Sequence, residues 1–184
     1  MDINVIPLRD NELKPLFTNP DDLGFCRIFT DRMFTMEYRQ GEGWKNPAIK
    51  PYAPFQLDPA TLVLHYGQEI FEGMKAFAGE HNEIILFRPM ENVRRFNRSA
   101  WRMCMPELPE EDMHQAIVEL VKLEQRWIPR IKGASLYIRP AMIATESGLG
   151  VRPSQEYLFF IILSPVGPYF KQGFNPVNLY VTDK

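Results

Sequence analysis

The stretch that most constrains this chain is residues 64–89. Its first half, residues 64–77, is rich in aromatic, charged and amide side chains and is interrupted by Gly67 and Gly73. Glycine permits positive φ angles and the close approach of another backbone. Ligand pockets combine apolar walls with a few placed polar groups. The mixture therefore indicates a pocket wall, and the alternative interpretation is a half-buried loop followed by a strand.

The second half of this stretch predicts a hairpin. Residues 74–78 are rich in apolar side chains, residues 79–82 read Gly-Glu-His-Asn, and residues 83–87 are β-prone. Two short strands that flank a turn of this kind indicate antiparallel partners. Pro89 follows Arg88 directly and predicts the start of a helix, because proline is favoured at the first helical position.

Two helices are predicted from apolar periodicity, at about 91–105 and about 109–128. The second begins with acidic residues, which favour the positive end of the helix dipole, and it is interpreted as structural. The first helix carries four arginines opposite its apolar side, namely Arg94, Arg95, Arg98 and Arg102. They indicate either a solvated face or an anion site, because guanidinium groups bind phosphate oxygens in a forked geometry. The helical pattern alone does not select one of the four.

Shorter strands are predicted towards the N-terminus. Residues 25–30 and 33–38 are interpreted as a hairpin that turns at Asp31 and Arg32. Residues 45–60 contain several prolines and are interpreted as a long ordered loop. A loop of this length inside a compact domain is usually functional or wrapped on a partner.

Strands are also predicted at 134–143 and 157–164. The second strand is apolar throughout its centre, as expected for a strand buried on both faces. In the first strand, the alternation of side chains places Ser135, Tyr137 and Arg139 on one face. An arginine beside a tyrosine indicates either an edge strand with a polar face or a carboxylate clamp with a phenol next to it.

The length of 184 residues predicts one domain with peripheral segments. We divide the chain into an N-terminal arm at 1–22, a small α+β domain at 23–168 and a linker at 169–176. Residues 177–184 are interpreted as the opening strand of a large domain that is otherwise absent. No internal repeat or low-complexity segment interrupts this division.

Charge and cysteine content narrow the class of protein. The net charge of −2 gives no support for binding to nucleic acid or to an anionic membrane. No apolar run is long enough to span a bilayer, and the N-terminus lacks the pattern of a signal peptide. Two distant cysteines, Cys26 and Cys104, indicate free thiols in a reducing compartment. A cytoplasmic protein without a metal site is therefore predicted.

Three segments resemble the branched-chain amino acid aminotransferases, which are class IV, fold-type IV enzymes that use pyridoxal phosphate. The segments are residues 65–77, residues 86–89 with the sequence Leu-Phe-Arg-Pro, and residues 135–140 with the sequence Ser-Leu-Tyr-Ile-Arg-Pro. The resemblance extends from about residue 24 to the end of the chain. It implies the small N-terminal domain of that family, with a mostly antiparallel sheet and two main helices.

The resemblance assigns roles to individual residues. Arg95 aligns with the arginine that binds the cofactor phosphate, which selects one of the four arginines on the first helix. Lys75 aligns with a family lysine that is not the Schiff-base residue, and its role stays open. Leu149 and Val151 match a loop that reaches into the substrate site of the neighbouring subunit, which implies a homodimer.

The resemblance also implies a substrate pocket with two kinds of contact. Phe25, Phe71 and Tyr137 would form apolar walls around the side chain of valine, leucine or isoleucine. Arg139 together with Tyr66 would receive the distal carboxylate of glutamate or 2-oxoglutarate. One site must accept both substrates in turn, and an arginine flanked by aromatic rings suits that requirement.

The resemblance implies that no catalytic residue lies in this chain. The family's Schiff-base lysine and the carboxylate at the cofactor ring nitrogen belong to its large domain, and Lys184 lacks the glycine-rich surroundings of that lysine. We therefore expect an inactive fragment of an enzyme that converts branched-chain amino acids and 2-oxoglutarate to branched 2-oxo acids and glutamate. The alternatives are a sister class IV enzyme (a D-amino acid aminotransferase or an aminodeoxychorismate lyase) or a stand-alone binding module without chemistry.

Overall fold

A computed structural model describes residues 1–19, 23–81, 83–168, 176 and 178–182. Within these residues the chain forms one eight-stranded sheet and three α-helices, which confirms the predicted α+β class. The helices are α1 (Leu62–Tyr66), α2 (Pro89–Arg102) and α3 (Glu110–Leu123). The strands are β1 (Asn4–Val5), β2 (Arg32–Arg39), β3 (Gly43–Pro51), β4 (Glu69–Phe71), β5 (Met74–Ala78), β6 (Ile84–Leu86), β7 (Ser135–Ala144) and β8 (Glu156–Val166).

The main path of the sheet runs β1-β3-β2-β8-β7-β5-β6, and β4 also pairs with β7. β1 and β3 are parallel, and the other described pairs are antiparallel. β4 and β5 pair with the same edge of β7 and are separated by Glu72 and Gly73. At this break the Glu72 N–H donates to the Pro140 carbonyl oxygen at 2.9 Å. Proline has no N–H, so the break falls where β7 offers no donor.

Helices α2 and α3 cover one face of the sheet, as their apolar periodicity predicts. Phe96 of α2 and Ile117 of α3 are fully buried with Leu136 and Ile138 of β7 in one apolar cluster. Burial of these side chains stabilises the packing of the helices on the sheet by about 1.5–3 kcal/mol for each large residue. Successive side chains of β7 point to opposite faces of the sheet, so this packing directs Tyr137 and Arg139 to the face opposite the helices.

The predicted second helix is shorter than 109–128. It ends at Leu123 and is followed by a 3-10 turn at Gln125–Trp127. Glu124 lies between the two elements and is fully buried. Its carboxylate accepts hydrogen bonds from the Asp31 backbone N–H at 2.8 Å and from Arg32 Nη1 at 2.7 Å. Glu124 is thus a long-range anchor for the chain before β2.

Asp31 is the centre of a buried hydrogen-bond cluster and is only 3% exposed. Its carboxylate accepts from Trp127 Nε1 at 2.7 Å, from Arg126 Nη2 at 2.7 Å and from the Lys14 backbone N–H at 2.8 Å. Burial by itself would raise the pKa of Asp31, but hydrogen bonds from Trp127, Lys14 and Arg126 together lower it. The predicted hairpin turn at Asp31 and Arg32 is therefore wrong, and residues 25–30 form no strand.

The hairpin in this region lies further along the chain. β2 pairs with β3, so residues 43–51 are a strand rather than part of the predicted loop. Their pairing contains an irregularity between Thr35 and Glu37, opposite Pro47, and Asn46 there has a φ of 54°. A bulge of this kind accommodates a proline inside a sheet, because the extra residue leaves the ladder.

The chain termini are predicted as a surface arm at 1–22 and an opening strand at 177–184. β1 pairs with β3, and the Met1 ammonium donates to Asp112 and Gln115 of α3, so the N-terminal segment is docked on the domain. The linker predicted at 169–176 lies mostly outside the described residues. Residues 178–182 carry no regular secondary structure, and the rest of the strand predicted at 177–184 is outside the described part. The division into domains stays a prediction.

Two further expectations concern thiols and membranes. Cys26 and Cys104 are both free thiols. Cys104 lies beyond the end of α2 and is exposed. In the described part of the chain, every helix is too short or too polar to cross a bilayer.

Candidate functional site

The candidate site lies on the sheet face that the helices leave open. Tyr137 and Arg139 project from β7 on this face, and Arg139 Nη2 donates to Tyr137 Oη at 2.7 Å. The guanidinium carbon of Arg139 is 4.2 Å from the centre of the Phe71 ring. A guanidinium at this distance is attracted by the negative face of an aromatic ring. The ring of Phe71, 58% exposed, therefore forms an open wall beside the positive charge.

Two neighbours fix the position of the tyrosine. The Phe25 ring contacts the Tyr137 ring edge-on, with 5.4 Å between the ring centres. On the other side, a Cβ added to Gly73 would lie 2.3 Å from Tyr137 Oη. A larger residue at position 73 would have to displace the phenol. The structure thus brings together four of the residues that the resemblance selected, namely Phe25, Phe71, Tyr137 and Arg139.

Arg139 carries a charge that no acidic residue in the described part of the chain neutralises. Among the described residues, no carboxylate lies within ion-pair distance of its guanidinium, and its Nε is buried without a hydrogen-bond partner. Its polar contact is a neutral phenol, and its packing partners are two aromatic rings. Arginine keeps its charge in proteins. The site therefore holds a fixed positive charge in apolar surroundings, which suits an anionic ligand.

Tyr66 ends α1 and contacts a different part of the chain. Gly67 follows it with a φ of 62° and closes the helix in the left-handed conformation. Tyr66 Oη donates to the Leu149 carbonyl oxygen, so the phenol is bonded to the loop rather than to Arg139. Leu149 and Val151 are 65% and 87% exposed on that loop. The structure places Leu149 beside Tyr66, while Val151 stands out in solvent.

Arg95 is held by Glu72, a residue that the sequence patterns did not single out. Its Nε and Nη2 donate to the two carboxylate oxygens of Glu72, the latter at 2.6 Å. Glu72 is 5% exposed and also accepts from Asn92 Nδ2 at 3.0 Å and from the Gly73 N–H at 3.2 Å. Burial would raise the pKa of Glu72, but hydrogen bonds from Arg95 and Asn92 lower it. The sequence contains one indication of this role, because Glu72 is a charged residue directly before a glycine in the 64–77 stretch.

The geometry favours Arg95 over its neighbour as an anion-binding group. The Arg95 side chain is 59% exposed, and the bonds to Glu72 use one edge of its guanidinium, which leaves Nη1 for a ligand. Arg94 is instead paired with Glu91 and Glu110. Arg95 also lines an open groove with Phe71 and Arg98. The groove therefore adjoins the Arg139 site through Phe71.

Comparison with known proteins identifies relatives along nearly the whole chain, although no family model matches it. The chain is 52% identical over 167 residues to branched-chain-amino-acid transaminase 1 of Bacillus subtilis, which covers 90% of this chain and 47% of the relative. It is 45% identical over 184 residues to the cytosolic branched-chain-amino-acid aminotransferase of Mus musculus, covering 100% of this chain and 47% of the relative. The chain spans about half the length of the curated relatives it matches.

A solved structure supports the same relationship. The branched-chain amino acid aminotransferase of T.th., complexed with N-(5'-phosphopyridoxyl)-L-glutamate, has a TM-score of 0.53 and 26% sequence identity. The match covers 69% of this chain and 40% of that chain. The curled, mostly antiparallel sheet with its helices corresponds to the N-terminal domain of such structures.

Proposed function

Over the length it spans, the chain belongs to the branched-chain amino acid aminotransferase family, and we propose that it forms the substrate-facing domain of such an enzyme. The reaction would move an amino group between leucine, isoleucine or valine and 2-oxoglutarate. The observation that carries the proposal is an arginine held between aromatic rings without a carboxylate partner among the described residues. That arrangement offers an apolar wall and a positive charge in one site.

The two substrates use different parts of this arrangement. A branched aliphatic side chain packs against Phe25, Phe71 and Tyr137, and needs no polar partner. Glutamate carries a second carboxylate, and Arg139 is placed to bind it. Tyr137 Oη accepts a hydrogen bond from Arg139, so its own proton is free to donate to the same carboxylate. Because Arg139 lies close to the Phe71 ring, the space beside it stays open for an aliphatic chain.

Pyridoxal phosphate is the cofactor that the relationship implies, and it supplies the electron sink for transamination when bound. The residues present fit its phosphate group. Glu72 holds Arg95 through Nε and Nη2, so Nη1 takes no part in that pair, and Arg95 lines the groove shared with Arg98. A charge-assisted bond from Arg95 to a phosphate oxygen is consistent with that orientation. The remaining contacts to the cofactor are proposed to come from the other half of the relatives' length.

Replacing Arg95 by alanine in the full-length enzyme is expected to weaken cofactor retention. A hydrogen bond to a charged group contributes about 1.5–3 kcal/mol, which corresponds to roughly a 10- to 150-fold higher dissociation constant. The measurement is the absorbance of bound cofactor during dialysis. Arg94→Ala is the control, because Arg94 is already paired with glutamates. A larger loss in Arg98→Ala or Arg102→Ala would mean that the phosphate contact belongs to a different arginine.

The proposed reaction is tested in the full-length enzyme by formation of glutamate from leucine and 2-oxoglutarate, with D-alanine as the competing amino donor. Preference for D-alanine would contradict the proposal. The 184 residues alone are proposed to be inactive, since the cofactor-binding lysine is expected in the other half. Borohydride reduction in the presence of pyridoxal phosphate should label no lysine specifically. Stoichiometric labelling of one lysine with turnover would overturn that expectation.

The assembly and location of the enzyme are further proposals. A homodimer would place the exposed loop with Leu149 and Val151 against the substrate site of a second copy. Exposed apolar side chains at such a position are consistent with a contact surface. A cytoplasmic location stays a prediction.

A further inference from the structure

Lys75 occupies a position on the site face that the proposed function does not yet use. In the register of β5 and β7, Lys75 lies directly opposite Tyr137. Residues opposite one another have Cβ atoms about 4.5–5.5 Å apart and point to the same face of the sheet. Arg139 is the diagonal neighbour of Lys75, at about 7–8 Å, which long side chains can span. The lysine and the arginine therefore flank the same phenol.

The Lys75 ammonium lacks a counter-ion in the described part of the chain. Its side chain is half-buried, and within the described ranges no carboxylate pairs with it and no acceptor receives a hydrogen bond from it. Glu72, the acidic residue shortly before it, is bonded to Arg95 instead. A buried polar atom without a partner is unfavourable, and Arg139 Nε is such an atom. An anion between Lys75 and Arg139 would pair with both cations.

This concentration of positive charge is local. The chain as a whole has 23 acidic and 21 basic residues, and its other partly buried arginines, such as Arg32 and Arg126, pair with carboxylates. Lys75 and Arg139 are both without such a pair among the residues that the structure describes. Two such cations around one phenol would suit a single carboxylate.

We propose that Lys75 is a specificity-determining residue that binds the distal carboxylate of glutamate or 2-oxoglutarate together with Arg139. This inference rests on the proposed function. Lysine suits the role because its charge sits on a flexible stem, whereas the arginine is fixed against Phe71. When leucine occupies the site, the ammonium moves towards water and its methylene groups remain along the apolar wall. One pocket thereby accepts a charged and an uncharged side chain in turn.

The test uses the full-length holoenzyme and two unreactive probes, glutarate as the dicarboxylate and 4-methylvalerate as the leucine-like monocarboxylate. Lys75→Met removes the charge and keeps a long apolar chain. We expect the inhibition constant of glutarate to rise about 10-fold or more, as for a lost charge-assisted bond. That of 4-methylvalerate should stay within about 2-fold, and Lys75→Arg should restore much of the glutarate binding.

A matched control is Lys50→Met, which removes another half-buried lysine from β3, outside the site. It should leave both inhibition constants unchanged. Equal weakening of the two probes in Lys75→Met would show a structural role and overturn the inference, as would unchanged glutarate binding. Phosphate is the other anion that two cations would hold. Faster loss of cofactor during dialysis of Lys75→Met would therefore assign the residue to the cofactor and also overturn the inference.

The outcomes separate this inference from the proposed function. If the wild-type enzyme forms no glutamate from leucine and 2-oxoglutarate, the proposed function fails, even where glutarate binding depends on Lys75. If the wild-type enzyme performs that reaction and Lys75→Met does not discriminate between the probes, only the inference about Lys75 fails.

Discussion

Replacing Asp31 by alanine is expected to lower the free energy of unfolding by about 3–5 kcal/mol, as for removal of one partner from a buried charged pair. The loss is large because three donors depend on this carboxylate. Trp127 Nε1 would lose its partner in a buried setting, and the Arg126 guanidinium and the Lys14 N–H would lose theirs in a partly buried one. Each unsatisfied buried group costs about 1–3 kcal/mol. The measurement is denaturant unfolding at neutral pH.

Asp10→Ala is the control for this prediction, because Asp10 is exposed on the N-terminal segment. It should change stability by less than about 0.5 kcal/mol. Asp31→Asn keeps the shape of the side chain and removes its charge. Its loss of unfolding free energy should lie between those of Asp10→Ala and Asp31→Ala, and the variant should still fold. A loss below about 1 kcal/mol in Asp31→Ala would show that the cluster does not hold the N-terminal segment to the domain.

The contribution of Asp31 also has a defined pH dependence. Its folded-state pKa is lowered, so the native state prefers the charged carboxylate. The stability gained in this way is fully present above the unfolded-state pKa of about 3.9 and is lost as the pH falls through the lower folded-state pKa. The difference in stability between the wild type and Asp31→Asn should therefore be constant from about pH 7 to pH 5 and shrink below about pH 4. A difference that grows on acidification would contradict the assignment.

Arg139→Met in the full-length enzyme is expected to impair the reaction with glutamate or 2-oxoglutarate about 10- to 100-fold more than the reaction with leucine. Glutamate would bring its second carboxylate into a site walled by Phe71 and Tyr137, where an unpaired charge costs several kcal/mol. Leucine has no such group, and the methionine thioether fills the space beside the rings. Single-turnover rates of the two half-reactions provide the comparison.

The control for this variant is Arg39→Met, which removes an exposed arginine of β2 that pairs with Glu42 and Glu156. It should leave both half-reactions close to wild-type rates. Equal losses for both substrates in Arg139→Met would mean that Arg139 only supports the strand, as in the interpretation of a polar edge. Arg139→Lys should retain part of the preference, since it keeps the charge and loses the fork.

Local patterns predicted the elements that carry the site. The alternation of Ser135, Tyr137 and Arg139 placed them on one face of a strand, and the structure confirms both the strand and the face. Pro89 marked the start of α2, where it is the first helical residue. These features depend on neighbours within a few positions, so periodicity and proline geometry were sufficient.

Long-range contacts were the part that local patterns could not supply. Asp31 looked like a turn residue, but its partner Trp127 is 96 positions away. Glu72 and Arg95 are 23 positions apart and meet because β4, β5 and α2 converge. Their pairing decides which guanidinium edge remains for an anion, and no helical pattern contains that information. Pro47 is accommodated in β3 by a bulge that includes Asn46 and Pro47 themselves, which depends on the pairing with β2.

The position of Tyr137 and Arg139 on β7 has a consequence for the timing of motions in the site. β7 is paired with β8 along its whole length, from Ser135 to Ala144, so both side chains stand on a backbone whose amide protons exchange only when the sheet opens. Phe25 stands on a segment outside the strands, a kind of segment whose motions usually take nanoseconds to microseconds. One side of the pocket therefore stands on the paired backbone of β7, and the other side stands on the segment of Phe25, which lies outside the sheet. Backbone adjustment around the substrate is therefore expected at the Phe25 segment, while β7 keeps the Arg139 charge in place and the Lys75 side chain moves on its own stem.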